Sequence, residues 1–458
     1  MEFVKYLASQ GLSDCSLLSG SRFHMRRWVL GTYRGAFVVL VIILSGCEVL
    51  PGHWRPGWNQ PWPTGTPVPD TAASWKVGEL EKQDGRLVAM AISGGGSRAA
   101  NFGAAVMLEL DQRKLLGQVD VISGVSGGTL PAAYYVLGQQ KAGPFTEEAV
   151  RTTFGYDFQS SWLRRWFLPQ NIFRYWLTDF TRSDIMVQVF NNRLYHHATF
   201  GDFRPHPKIL INSTTHNDHT RFTFTDDRFQ DLHSSLAQYQ IANAINASSA
   251  FPAVFDDVTL QQYTDPPRYL HLYDGGPMDN LGIQSILEFL GRAVTGTALD
   301  MLFPNGCLII VVDAATSSSN DELAERQSSR RFIDYFINTN ALDAVDAMLN
   351  AARTNLLTSL GLAPVDQKVR GEVSISDLHQ CRCEVRHVAL RHLLYRDKDE
   401  ELAARVTRIK TKFWVSAEEQ DDLFTAAKLL MKELEDSHLL PDASLKTQCG
   451  THAAAAQK

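Results

Sequence analysis

Six apolar residues, Leu87-Val88-Ala89-Met90-Ala91-Ile92, run directly into Ser93-Gly94-Gly95-Gly96-Ser97-Arg98. The run has the length of a strand. Three consecutive glycines at its end free the backbone N–H groups to point inward, as an anion site or an oxyanion hole requires. Helical sequence follows from Ala99 to Leu115, and the pattern then repeats. Val119-Asp120-Val121-Ile122 leads into Ser123-Gly124-Val125-Ser126-Gly127-Gly128 and a helix of small residues. Further strands are expected at Lys208–Asn212, Arg221–Thr225 and Tyr269–Tyr273, the last ending on Asp274-Gly275-Gly276. An Ala-rich helix is expected around Leu236 to Ala247, and Cys307–Val312, with Asp313 at its end, is the strongest strand of all. Strands alternating with helices, with glycine turns where strands finish, predict a three-layer α/β/α sandwich with a mostly parallel central sheet. In such sheets functional loops gather at the carboxyl ends of the strands.

Composition narrows the class. The chain has 458 residues, 44% hydrophobic and 21% charged, which excludes wholesale disorder and a polytopic membrane protein. Its net charge of −6 argues against nucleic acid as the main partner. Six cysteines are too few for a disulfide scaffold. Among Cys307, Cys381, Cys383 and Cys449, the Cys-x-Cys spacing disfavours a mutual bridge, so Cys381 or Cys383 with Cys449 is the expected pair.

The chemistry sits in three turns. Gly124-Val125-Ser126-Gly127-Gly128 fits the Gly-x-Ser-x-Gly elbow, in which a serine between strand and helix needs a sharp turn without crowding side chains. The helix that follows points its positive end at a developing oxyanion. Gly94-Gly95-Gly96 lacks the spacing, the later acidic residue and the Lys-Ser/Thr pair of nucleotide loops. Asp274-Gly275-Gly276, taken alone, reads as a turn former or as a base.

In that order and on those elements, the three turns resemble those of the patatin-like phospholipase family, over about residues 86 to 315. Ala247-Ser248-Ser249-Ala250-Phe251-Pro252-Ala253-Val254-Phe255 also looks like the family's Ala-Ser-x-Ala-x-Pro segment. The resemblance implies a Ser–Asp dyad without a catalytic histidine: Ser126 as nucleophile and Asp274 as base. It implies an oxyanion hole from Gly94, Gly95, Gly96 and Gly127. Arg98 would brace the loop, with Gly124, Gly128, Gly275 and Gly276 supporting the turns. The expected reaction is hydrolysis of a phospholipid or lysophospholipid ester through an acyl-enzyme, with no cofactor and no metal. Ala99, where many members carry Gly, and Gly127, where many carry Ala, depart from the pattern; neither removes a dyad residue.

Two other readings stand beside this one. A Ser-His-Asp esterase or thioesterase of the α/β-hydrolase type would draw on Asp313 with His379, His387 or His392. A lipoprotein that keeps the fold only to bind lipid is the non-enzymatic alternative. His216-x-x-His219 with Asp218, and His196-His197, read as ordinary surface residues.

The flanks complete the organisation. Arg26, Arg27 and Arg34 precede the apolar run Ala36–Leu44 and then Leu44-Ser45-Gly46-Cys47, which resembles the lipobox of bacterial lipoproteins. Residues 1–46 are the expected signal peptide, with Met25 as an alternative start. Cys47 would be lipidated, and Glu48 favours an outer-membrane location facing the periplasm. Residues 47–85, rich in Pro, Gly and Trp, read as an extended tether. The catalytic domain is expected over 86–320. An insertion at about 150–205, crowded with aromatic and basic residues, reads as a packed helical subdomain or a lid over an acyl pocket. Residues 321–458 form a mainly helical C-terminal extension, which includes a charged stretch Asp321–Arg331, a strand Glu384–Leu390 and a final helix opened by the capping box Ser416-x-x-Glu419.

Overall fold

The two glycine-terminated runs fold as neighbours: β1 (Leu87–Ile92) and β2 (Val121–Val125) pair in parallel, with Ile92 opposite Gly124. The computed structural model describes residues 57–63, 65–74, 85–252, 254–293, 303, 305–316, 339–362, 370–374 and 382–440. Cys47 and its leader, residues 321–331, Cys381, Cys449 and the tail from Thr451 lie outside the described residues. Helix α1 (Gly96–Gln112) joins β1 to β2, and α2 (Thr129–Leu137) follows the serine elbow. The insertion holds α3 (Glu147–Phe154), α4 (Phe158–Trp166), α5 (Pro169–Leu177) and α6 (Arg182–Phe190). Then come β3 (Lys208–Thr215), β4 (Arg221–Thr223), α7 (Asp226–Asp231), α8 (Ile241–Ser248), β5 (Val258–Gln262) and β6 (Arg268–Asp274). The short α9 (Gly276–Asp279), α10 (Ile283–Ala293), β7 (Cys307–Asp313) and α11 (Thr339–Ser359) lead to β8 (Arg370–Ser374) and β9 (Arg382–Ala389). Helices α12 (Glu400–Thr407) and α13 (Ala417–Asp436) come last.

The sheet order is β5-β6-β3-β2-β1-β7-β9-β8, with β4 paired to β3. Its centre, β3-β2-β1-β7-β9, is parallel, and every pairing outside it is antiparallel. The expected parallel sheet therefore describes the centre, and the edges make the whole sheet mixed. Connection length is the reason: only residues 263–267 separate β5 from β6, room for a turn but not for the helical crossover that a parallel pair needs.

Alternation along β1 sends its residues to two apolar layers. Val88, Met90 and Ile92 pack with Phe102 of α1, Phe190 of α6, Ile245 of α8 and Leu423 of α13. Leu87, Ala89 and Ala91 pack with Ile286 and Phe289 of α10 and Leu357 of α11. The capping box at Ser416 and Glu419 opens α13, as its sequence predicts.

Four details differ from, or sharpen, the sequence reading. Cys383 bonds to Cys307, its direct partner across the β7–β9 pair at a Cα separation of 4.5 Å, so the expected pairing of Cys383 with Cys449 does not form. Separation along the chain hid this pair, because only the parallel register brings the two together. The helix expected over Leu236 to Ala247 is split: a single 3₁₀ turn covers Leu236–Gln238, and α8 starts only at Ile241. Part of the tether is docked on the domain, with Ala72 and Ala73 buried and the Thr71 N–H donating to Asp226 at 2.8 Å. The insertion divides in two: Phe154, Phe158, Trp162 and Phe180 are core residues, whereas Phe167, Phe173 and Trp176 face solvent.

Candidate active site

Ser126 caps β2 with φ 49°, a left-handed conformation that costs a residue with a Cβ and sets its hydroxyl at a sharp turn. The turn is held at both ends. The Ser126 N–H donates to Ser248 Oγ at 2.8 Å, and Thr129 Oγ1 donates to the Ser126 carbonyl at 2.5 Å. Glycine at 127 is a packing requirement: a Cβ there would lie 2.0 Å from the Gly96 carbonyl oxygen. The serine elbow and the glycine turn thus touch backbone to backbone.

That glycine turn has φ 137° at Gly95 and 59° at Gly96. Gly95 and Gly96 are the N-cap and first residue of α1, so their N–H groups have no intrahelical acceptor. The neighbouring donors are used: the Gly94 N–H goes to the Asn280 carbonyl at 3.0 Å and the Ser97 N–H to the Lys412 carbonyl at 2.8 Å. A Cβ on Gly94 would stand 3.4 Å from that of Ser126, so the turn runs alongside the serine. Arg98 folds back against the turn, its Nη2 3.1 Å from a Cβ built on Gly95, and clasps the C-terminal extension, with Nη1 donating to the Ile409 carbonyl at 2.5 Å.

Asp274 ends β6 opposite Ser213 of β3, while Asn212, one residue earlier, is opposite Val125 of β2. Ser126 and Asp274 therefore stand at one level on either side of β3, about 10 Å apart at Cα from two strand spacings. Both residues are buried. Asp274 Oδ1 accepts the Gly276 N–H at 2.8 Å, and Thr214 Oγ1 donates to the Asp274 carbonyl at 2.9 Å. One short segment serves both turns. Ser248 holds the Ser126 N–H, its carbonyl accepts from Gly275, and the Ala250 carbonyl accepts from Asp274.

Two neighbours of this centre carry no signal in the sequence. Asn280 reaches the space between the turns, its Oδ1 lying 2.5 Å from a Cβ built on Gly94 and 3.2 Å from one on Gly276. Lys412 walls the glycine turn with its backbone, 2.4 Å from a Cβ on Gly96. Ser248, by contrast, belongs to the Ala-Ser-x-Ala-x-Pro segment and was findable.

The alternative acid and base do meet each other. His387 Nε2 lies 2.9 Å from Asp313 Oδ2, and Arg353 of α11 ion-pairs with the same carboxylate. Burial alone would raise Asp313, but Arg353 and His387 hold it well below the usual carboxylate range. Burial lowers His387, and it pushes His392 down to about 3. This cluster sits on β7 and β9, two and three strands from β2. His216 pairs with Asp257 and stacks on Tyr273, while Asp218 accepts from Thr220. Among the described residues no group of three or more His, Cys, Asp or Glu is placed to hold a metal.

A serine on a strained elbow, a carboxylate at the same level across β3 and backbone N–H groups at a helix start are parts that acyl transfer can use. Among solved structures, human GIVD cytosolic phospholipase A2 is similar at 13% identity and TM-score 0.49, over 79% of this chain and 60% of that one. VipD from Legionella pneumophila is similar at 10% identity and TM-score 0.30, over 76% of this chain and 67% of that one. This chain thus spans about 60% of the length of the human protein. No curated protein matches. Residues 90–287, which carry the serine elbow, the Ser248–Ala250 segment, Asp274 and most of the β1–glycine-turn unit, match the Patatin-like phospholipase family profile. Residues 90–287 thus form a patatin-like phospholipase domain.

Proposed function

We propose that the chain is a lipid acyl hydrolase of the phospholipase A or lysophospholipase type, acting through Ser126 and Asp274. Asp274 takes the proton of Ser126 Oγ as the oxygen attacks an ester carbonyl. The developing oxyanion is held by N–H groups of Gly95, Gly96 and Gly127, with the Gly94 turn positioning them. Collapse of the tetrahedral intermediate expels the alcohol, which takes its proton from Asp274. Water deprotonated by the same carboxylate then hydrolyses the acyl-enzyme. A lipid anchor at Cys47, holding the enzyme on the periplasmic face of a bacterial outer membrane, belongs to the same proposal, because tethering raises the effective concentration of a membrane substrate.

The observation that carries the reading is the direct contact of the elbow with the glycine turn, at a position where only glycine fits. A fluorophosphonate probe with adduct mapping tests it. The expected result is one adduct on Ser126, absent from Ser126→Ala and strongly slowed in Asp274→Asn. Folded protein that takes no adduct in buffer or in detergent micelles would point instead to a lipid-binding lipoprotein.

A further inference from the structure

Helix α5 presents large apolar side chains to water. Seven of the eleven most exposed large hydrophobic residues among the described residues fall between Phe167 and Leu177. Trp176 is 80% exposed, Phe167 64%, Leu177 49% and Phe173 46%. Of the nine residues of α5 only Asn171 is buried. A contiguous patch of this kind marks an interaction surface.

Charge selects the partner. No acidic residue occurs from Phe158 to Thr178, whereas Arg164, Arg165 and Arg174 do, a local excess of three positive charges in a chain of net charge −6. Tryptophan and arginine flanking an exposed apolar helix suit the headgroup region of an anionic bilayer. A second copy of the chain suits it poorly, since a two-fold contact sets the same three arginines against one another.

The patch is also continuous with the rim of the site. Phe167 stacks on Trp166 at 5.9 Å, Trp166 meets Trp162 at 5.2 Å, and Trp162 meets Phe255 at 5.3 Å. Phe255 in turn meets Phe413 at 5.2 Å, next to the Lys412 carbonyl that walls the glycine turn. The Gln159 N–H donates to the Phe413 carbonyl at 3.2 Å, tying the start of α4 to the same loop.

We propose that the α4–α5 surface docks on an anionic phospholipid bilayer and holds the mouth of the Ser126 site against it. The purpose of this contact rests on the hydrolase reading above; its test does not. Hydroxyl-radical footprinting of the full chain reads the side chains directly. Trp176 and Phe173 should oxidise readily in buffer, be protected several-fold by vesicles of phosphatidylcholine with phosphatidylglycerol, and be little changed by phosphatidylcholine alone. Equal oxidation with and without anionic vesicles overturns the proposal. So does protection in buffer, which would mean that the chain itself or a second copy covers the patch.

Cosedimentation supplies the second measurement, in full-length chain carrying Ser126→Ala and Cys47→Ser so that neither turnover nor an acyl group contributes. Adding Trp176→Ser and Phe173→Ser should weaken binding to anionic vesicles roughly a hundredfold, counting each side chain at the low end of its burial value. Unchanged binding overturns the proposal. With Ser126 intact, the same two substitutions should leave hydrolysis of a soluble ester untouched; a parallel fall would make α5 part of the substrate pocket instead. Vesicle binding by Ser126→Ala protein is blind to the identity of the nucleophile, so the two readings fail separately.

Discussion

Gly127→Ala tests the packing of the site at its tightest point. Alanine adds a single methyl to glycine, so the substitution looks conservative on paper. In this fold the added methyl would lie 2.0 Å from the Gly96 carbonyl oxygen, 2.6 Å from its carbon and 2.9 Å from its Cα. All three are backbone atoms, so no rotamer relieves the overlap. Restoring ordinary contact at 3.4 Å requires the two turns to separate by 1.4 Å, the difference between 3.4 and 2.0. Overpacking of this kind costs about 1–3 kcal/mol of stability. The larger effect should be on rate. The displaced atoms carry the proposed oxyanion donors, and losing one such donor typically lowers kcat by about 10²–10³. Urea unfolding gives the first quantity; hydrolysis of a soluble ester and the rate of fluorophosphonate labelling give the second. Gly291→Ala is the matched control, because Gly291 is an exposed residue of α10 with nothing within 4 Å of the new methyl. It should be neutral or gain up to about 1 kcal/mol from helix propensity. Wild-type kcat/KM in Gly127→Ala would refute the argument that the absence of a side chain is what lets the two turns touch.

Two further outcomes follow from contacts described above. Arg98→Met removes the donors to the Ile409 carbonyl and Thr411; it should cost about 1.5–3 kcal/mol as a charged hydrogen bond is lost, and lower kcat more than it raises KM. Arg98→Lys should not restore activity, because a point charge cannot reproduce the guanidinium fork; full activity in either variant would remove Arg98 as a brace. The second outcome concerns pH. Burial, reinforced by charge on His387, lowers His392 from 6.5 to about 3 in the folded state, so the fold holds it neutral and the unfolded chain protonates first. Its contribution is fully present above pH 6.5 and is lost as pH falls toward 3. The limiting slope is about 1.4 kcal/mol per pH unit. His392→Leu should therefore lose less stability than the unsubstituted chain between pH 7 and pH 5, by about 2 kcal/mol in urea unfolding. Identical pH dependence in the two would show that His392 does not titrate across unfolding.

Local chemistry made much of this fold legible. β1, β2 and β7 are apolar runs bounded by turns, and such runs announce themselves whatever surrounds them. Ser126, Asp274 and the glycines were visible because a turn that admits no side chain writes itself as glycine. The same local rule revealed the capping box at Ser416. Contacts between distant segments were hidden. β5 and β8 are edge strands whose half-polar sequences look like loops, and neither was expected. Asn280 and the Lys412 carbonyl approach the glycine turn only through tertiary packing, and a carbonyl oxygen has no sequence signature at all. Cys307 and Cys383 met for the same reason, through the register of a parallel pair that spacing alone does not encode.

The clasp between Arg98 and Ile409 closes over 311 residues. A ribosome releases this chain from its amino end, so Ser126, Asp274 and all the turn glycines exist well before the segment that braces them. Until residues 409–412 emerge, Ser97 and Arg98 lack the carbonyls they bind in the finished fold. The order of synthesis thus completes the glycine turn last, as the hydrolase proposed above would need in a cell bounded by its own substrate.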